Sequence, residues 1–265
     1  MKNLRFSYTC ELSFSAPVTS HSFTLRITPH DDDAQTVAIE NCRVEPLDEC
    51  TSQTDGWGNL LYVGSCAQPH DSFVYQVQGT ARVDSAKGRG TDENLIYRYP
   101  SALTQPGPAI KRLYAGCTSE EANTFMRARA LCSAVHGAMA YEPDSTDMNT
   151  TAEQAAATGR GVCQDYAHIL AALLRLDGIS ARYVSGLMWG EGATHAWVEF
   201  FDGQTWWALD PTNDCEAGDY YIALARGRDA SDCPIENGVF RGAASQQQRV
   251  NVSVEVIEGK EEASC

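Results

Sequence analysis

Three residues in one short stretch have the types and order of an activated cysteine nucleophile. Cys163 stands just after Gly159-Arg160-Gly161-Val162, where a helix should begin. His195 lies in a strand-like run, and Asp210 ends the next such run. A free thiol is mostly protonated near neutrality. The unpaired N–H groups and partial positive charge of a helix N-terminus favour the thiolate, and a nearby imidazolium adds to that. The same N–H groups of Cys163 and its neighbours are placed to meet a developing oxyanion. A strand is a rigid mount for a histidine acting as base and acid. A carboxylate across a hairpin would fix its tautomer and orientation. The chemistry expected of such a set is acyl transfer or amide cleavage through the thiol.

The elements that must position these residues can be read from hydrophobic spacing. From Cys163 to Asp177 the residues Ile169, Leu170, Leu173, Leu174 and Leu176 make a heavily apolar, buried helix, stopped by Gly178. ISARYVSGL and THAWVEFF read as strands, Asp202-Gly203 as a hairpin turn, and TWWALD as the paired strand, closed by Pro211. YYIALARG is a short strand or a helical turn, and RVNVSVEVI is one more strand. Upstream, Thr118 with Glu121 has the form of a capping box for a helix through Phe125, Ala128, Cys132, Val135 and Met139. Thr150 with Glu153 offers a second box, for a short helix closed by Gly159.

The first hundred residues alternate with the period of half-buried strands. Leu4, Phe6, Tyr8, Cys10, Leu12 and Phe14 form one run, ended at Pro17, and FTLRI forms another. Phe73, Tyr75, Val77, Ala81 and Val83 alternate again, with Gly79 suggesting a bulge. Short strands at close spacing suggest a sandwich or small open barrel. The acidic triplet Asp31, Asp32 and Asp33 reads as a solvated turn rather than a metal site. No chemistry is evident in this half. Residues 84–111 are rich in Gly, Pro and charge, and read as a connection laid over the surface.

The chain's 265 residues allow one large domain or two modest ones, and 43% apolar residues suffice for a core. A net charge of −15 argues against nucleic acid and against an anionic membrane surface as partners. No run approaches the roughly 18 apolar residues of a membrane span, and the N-terminus lacks the apolar stretch of a signal peptide, so a cytoplasmic location is expected. The ten cysteines include no Cys-x-x-Cys pair. A zinc knuckle and disulfides are therefore not expected.

The Cys-to-His interval is far shorter than in papain itself. Three blocks, GVCQDYAHILAALLRLDGISARYVSG, THAWVEFF and WWALDPTN, together resemble the motif set of the transglutaminase-like superfamily, and most closely its bacterial stand-alone branch. MAYEPDSTDMNTTAEQAAATGRG resembles the segment that precedes the nucleophile there, and GRDASDCPIENGVFRG the loop after the third block. The N-terminal β region and the late RVNVSVEV strand fit that family's accessory domain and closing strand, so the resemblance covers most of the chain.

The resemblance implies an α+β fold: a papain-like catalytic core, with a helix packed on an antiparallel sheet, beside a β-rich N-terminal domain. It divides the chain into residues 1–110, 111–258 and a flexible tail at 259–265. It implies Cys163 as nucleophile, His195 as base and acid, and Asp210 as orienting carboxylate, acting on a peptide or protein through a thioester. It gives no ground for calcium or any other cofactor, and it leaves open whether water or an amine takes the acyl group. The alternative is a binding module that keeps the fold without catalysis, though a decayed site would be expected to lose one of the three residues.

Other residues invite a role. Gln164, Trp189 and Trp197 are candidates for substrate contact; Trp197 should share the face of His195 and wall the cleft. Trp206 and Trp207 are better read as core. His168, five positions from Cys163, is expected to be a structural hydrogen-bonder, and Asp165 a favourable charge in the first helical turn.

Overall fold

The computed structural model describes residues 1–117 and 123–257. Its strands are β1 (Lys2–Leu25), β2 (Gln35–Glu45), β3 (Glu49–Thr54), β4 (Leu60–Cys66), β5 (His70–Val83), β6 (Ala140–Tyr141), β7 (Arg160–Gly161), β8 (Ala181–Met188), β9 (Gly190–Gly192), β10 (His195–Phe201), β11 (Trp206–Asp210), β12 (Cys215–Glu216), β13 (Tyr221–Gly227), β14 (Glu236–Arg241) and β15 (Gln246–Val256). Its helices are α1 (Pro108–Gly116), α2 (Thr124–Ala138), α3 (Ala152–Thr158) and α4 (Cys163–Leu176). The fold is α+β.

β1 organises the first sheet. Its first half pairs with β5 and β15, and its second half with β4 and β14. Pro17 does not end the strand. It sits where the register shifts between Ser13 and Val18 and the partners change, a place where a missing N–H is tolerated. The expected FTLRI strand is the far end of β1. Gly79 faces a bulge rather than forming one: the register shift falls in β2, between Ile39 and Asn41, and a Cβ on Gly79 would lie 2.3 Å from the Ala38 carbonyl oxygen. The sheet curls on itself, and the alternating side chains Leu4, Phe6, Tyr8, Phe73 and Tyr75 fill its inside.

The second sheet is antiparallel, in the order β12-β11-β10-β8-β13. One face carries α4, whose Ile169, Leu170, Leu173 and Leu174 pack with Ala196, Val198 and Phe200 of β10. α1, α2 and α3 close around α4. Leu187 of β8 and Ile222 and Leu224 of β13 join the core of the first sheet, so the two sheets share packing. β14 and β15, assigned from sequence to the 111–258 segment, hydrogen-bond to β1, and residue 110 lies within α1.

Helix ends differ from the sequence reading in instructive ways. Thr118 and Glu121 lie outside the described residues, as does the 259–265 tail. α2 is capped by Asn123, whose side chain accepts from the Met126 N–H. The box on α3 is Thr151 with Gln154, one position later than expected. Thr150 instead makes a turn with Asp147, and Glu153 accepts the N–H groups of Gly107, Ala109 and Ile110. Glu153 thus caps α1 from across the helix pair. Gly159 and Gly178 take the left-handed conformation, with φ of 68° and 76°, where glycine ends α3 and follows α4.

The 84–111 segment is more than a surface connection. It sends Arg89 and Tyr97 inward. Arg89 and Asp32 meet Arg182, Arg226 and Glu199 in a buried cluster; Asp32 is therefore no free solvated acid.

Candidate active site

α4 begins at Cys163, and its first turn is held from outside. Asp165 accepts the Val162 N–H at 2.8 Å and the Thr146 hydroxyl at 2.7 Å. Gly161 is required there, since a Cβ on it would fall 2.6 Å from the Asp165 carboxylate. Asp165 is therefore a clamp on the helix start as well as a favourable charge. Burial pushes its carboxyl up against those hydrogen bonds. The N–H groups of Asp165 and Tyr166 go to the Val162 carbonyl. Those of Cys163 and Gln164 remain as first-turn donors without a partner among the described residues.

His195 opens β10, and Asp210 ends β11. The β10–β11 register pairs Val198 with Leu209, which puts Asp210 beside Trp197 and diagonal to His195 on one face. His195 Nε2 and Asp210 Oδ2 are 2.7 Å apart. The other ring nitrogen is not used by Asp210, and Cys163 is near enough to act on the charge of the ring. Burial opposes charge on the ring, but the hydrogen bonds and charges of Asp210 and Cys163 outweigh it and raise His195 to about 10. Asp210 is fully buried, which disfavours its charge. Bonds from His195, Asn213 and Tyr221 nevertheless hold its carboxyl below the usual range.

The structure thus brings Cys163, His195 and Asp210 together and adds two residues that sequence reading missed. The Tyr221 hydroxyl donates to Asp210 Oδ2 at 2.9 Å, and the Asn213 amide donates to the same oxygen at 2.6 Å. Asn213 was legible as part of the third block. Tyr221 was not, because β13 reaches Asp210 only through the fold.

The candidate substrate contacts separate. Gln164 lines a cleft of about 430 Å³ with Thr194, Tyr183 and Ser185. Trp197 does not. It shares the face of His195 as expected, and its ring lies 6.4 Å from the imidazole, but it is fully buried. Val184, Ala217, Tyr221 and Ala223 cover it, and its indole fills the space left by Gly186. Trp189 is exposed and packs near Tyr220, Glu255 and Val256, apart from that cleft. Trp206 is buried, with Nε1 on the Asp92 carbonyl; Trp207 is half-buried beside Phe125. His168 is fully buried and accepts the Ala230 N–H, a structural hydrogen-bonder as expected.

Two family models match the chain. Residues 111–211 match the family described as the transglutaminase-like superfamily, and residues 4–82 match the bacterial transglutaminase-like N-terminal region. The chain belongs to the transglutaminase-like superfamily. An uncharacterized protein of Mycobacterium leprae is 28% identical over 96% of this chain and 99% of its own. One of Mycobacterium bovis is 27% identical over 96% of this chain and 92% of its own. The crystal structure of a candidate cysteine protease from Cytophaga hutchinsonii superposes with a TM-score of 0.81. It is 21% identical and covers 98% of this chain and 93% of that one, so it shares the fold.

Proposed function

We propose that the protein cleaves or transfers amide-linked acyl groups of peptides or proteins through a thioester on Cys163. The observation that carries this reading is the convergence of the Cys163 thiol and buried Asp210 on one imidazole. The proton of the Cys163 thiol is already held on His195 before attack, and Sγ adds to the amide carbonyl carbon. The resulting oxyanion meets the N–H groups of Cys163 and Gln164. His195 returns the proton to the departing amine as the C–N bond breaks. Water or an amine then attacks the thioester, again deprotonated by His195, and the thiol is released. Asp210 keeps the ring oriented throughout.

The net charge of −15 supports neutral or cationic partners over nucleic acid. Among the described residues, no helix is long and apolar enough to cross a membrane. A cytoplasmic setting, which keeps exposed thiols such as Cys42 and Cys50 reduced, goes with this reading.

Iodoacetamide followed by peptide mapping tests the nucleophile. Cys163 should be alkylated ahead of Cys10, Cys132 and Cys233, whose thiols burial pushes up, and His195→Ala should slow it. A screen of peptide amides then separates the acceptors: ammonia with incorporated amine marks transfer, and a new carboxylate marks hydrolysis. Full turnover by Cys163→Ala would sink the proposal.

A further inference from the structure

The cleft beside the triad has a wall that the second sheet does not supply. It encloses about 430 Å³, a size suited to a few substrate residues, and it is reached at Gln164 and Thr194, the chain neighbours of Cys163 and His195. Tyr183 and Ser185 of β8 form one side. The curled first sheet supplies further lining: Tyr8 of β1, Tyr75 of β5, Glu236 of β14 and Gln248 of β15.

The charge in this cleft is one-sided. Among the described residues, no lysine or arginine lines it, and Glu236 is its single carboxylate. His21, also in the wall, is pushed down to about 4 by burial and by His70, so it carries no charge near neutrality. Glu236 accepts the Tyr75 hydroxyl at 2.9 Å, and the Tyr75 and Tyr8 hydroxyls lie 3.3 Å apart. Burial pushes the Glu236 carboxyl up by more than the Tyr75 bond pulls it down, and no cation among the described residues acts on it. A part-buried carboxylate without a counter-ion is costly, and a ligand cation relieves that cost while an anion adds to it. Tyr75 fixes the carboxylate and leaves its remaining lone pairs for an incoming donor.

We propose that this cleft receives the acyl-side segment of the substrate and that Glu236, oriented by Tyr75, selects a primary amine or guanidinium on it. The acyl side is assigned because the cleft opens at Gln164, whose N–H meets the oxyanion in the proposed mechanism. The first sheet is then the specificity wall of the enzyme. This inference rests on the reading of Cys163 as a nucleophile.

Peptidyl chloromethyl ketones test it, because they carry only the acyl side. Sγ bonds to the methylene carbon, chloride leaves, and the thiol proton stays on the ring. Matched probes carry Lys, norleucine or Glu at each of the first four positions from the ketone, and Cys163 alkylation is timed at neutral pH. At one position Lys should exceed norleucine by about tenfold, the scale of one charged hydrogen bond, with Glu slowest. Glu236→Gln keeps an acceptor for Tyr75 and should bring the Lys-to-norleucine ratio to about one. Glu11→Gln removes an exposed charge on β1 and should leave that ratio unchanged. Equal rates for all probes in a protein whose Cys163 reacts selectively would overturn the specificity role alone. So would a Lys preference that survives Glu236→Gln. Failure of iodoacetamide to single out Cys163 would instead remove the reading beneath it.

Discussion

Five hydrogen bonds converge on the two oxygens of Asp210. His195, the Asn213 amide and the Tyr221 hydroxyl share Oδ2, and the N–H groups of Thr212 and Asn213 share Oδ1. That cage lets a fully buried carboxylate stay ionised and keep a proton on His195. The folded ring is raised from 6.5 to about 10, so its stabilising contribution is full below the unfolded value and fades as pH climbs through about 10. An NMR titration of the His195 ring should show a midpoint near 10. In Asp210→Asn the midpoint should drop markedly, and turnover should fall by roughly 10³ to 10⁴. A wild-type midpoint below 7 would contradict this account. In the proposed mechanism Tyr221, bonded to Asp210, acts by positioning it. Tyr221→Phe should cost about 1 kcal/mol, or about fivefold in the Cys163 alkylation rate. It should also lower the upper limb of the pH profile, which loss of packing alone would not move.

At the scale of elements, the site depends on close approaches that admit no side chain. Gly186 of β8 lies opposite His195, and a Cβ there would stand 2.2 Å from the Trp197 ring and 2.4 Å from the Ile222 carbonyl oxygen. The carbonyl belongs to the neighbouring strand and cannot swing aside as a flexible side chain could. Gly186→Ala should destabilise by about 1–3 kcal/mol, measured by urea unfolding, and should slow Cys163 alkylation because His195 moves with β10. A variant as stable and reactive as wild type would show that the sheet yields more readily than the packing implies. α4 is fixed at its other end too. Asp177, just beyond it, receives Arg127 of α2 at 2.6 Å and the Tyr114 hydroxyl of α1, and Arg175 donates to four acceptors around the helix end. On a helix anchored at both ends, the proposed nucleophile needs little reorganisation to react.

At the scale of the molecule, the Glu199 cluster ties distant segments to the second sheet. Glu199 of β10 meets Arg182 at 2.6 Å and Arg226 at 2.8 Å, with Arg89 at 3.4 Å; Asp32 joins Arg226 and Arg89 from the loop after β1. Arg182 also lies 4.2 Å over the Trp206 ring. Burial disfavours the Glu199 charge, but the three arginines hold its carboxyl far below the usual range. The stability it gives is therefore present above the unfolded value near 4.5 and is lost as pH falls below it. Glu199→Gln leaves three buried guanidinium groups under-compensated and should cost about 3–5 kcal/mol at pH 7. The gap to wild type should narrow below pH 4. A gap that persists unchanged in acid would point to packing rather than charge.

The sequence by itself determined what depends on neighbours in the chain. The buried helix starting at Cys163, the β10–β11 hairpin and the stops at Gly159 and Gly178 follow from side-chain period and glycine's access to positive φ. The pairing of His195 with Asp210 was legible because a hairpin brings nearby residues face to face. The tertiary structure decided what depends on which layer covers a face. Periodicity put Trp197 on the face of His195, yet only the packing of Tyr221 and Ala217 made it core rather than cleft. Tyr221 reaches Asp210 through the sheet order, and Glu236 meets Tyr75 across 161 residues of chain. Such contacts arise from burying two sheets against each other, and no local pattern encodes which distant side chain that burial will deliver.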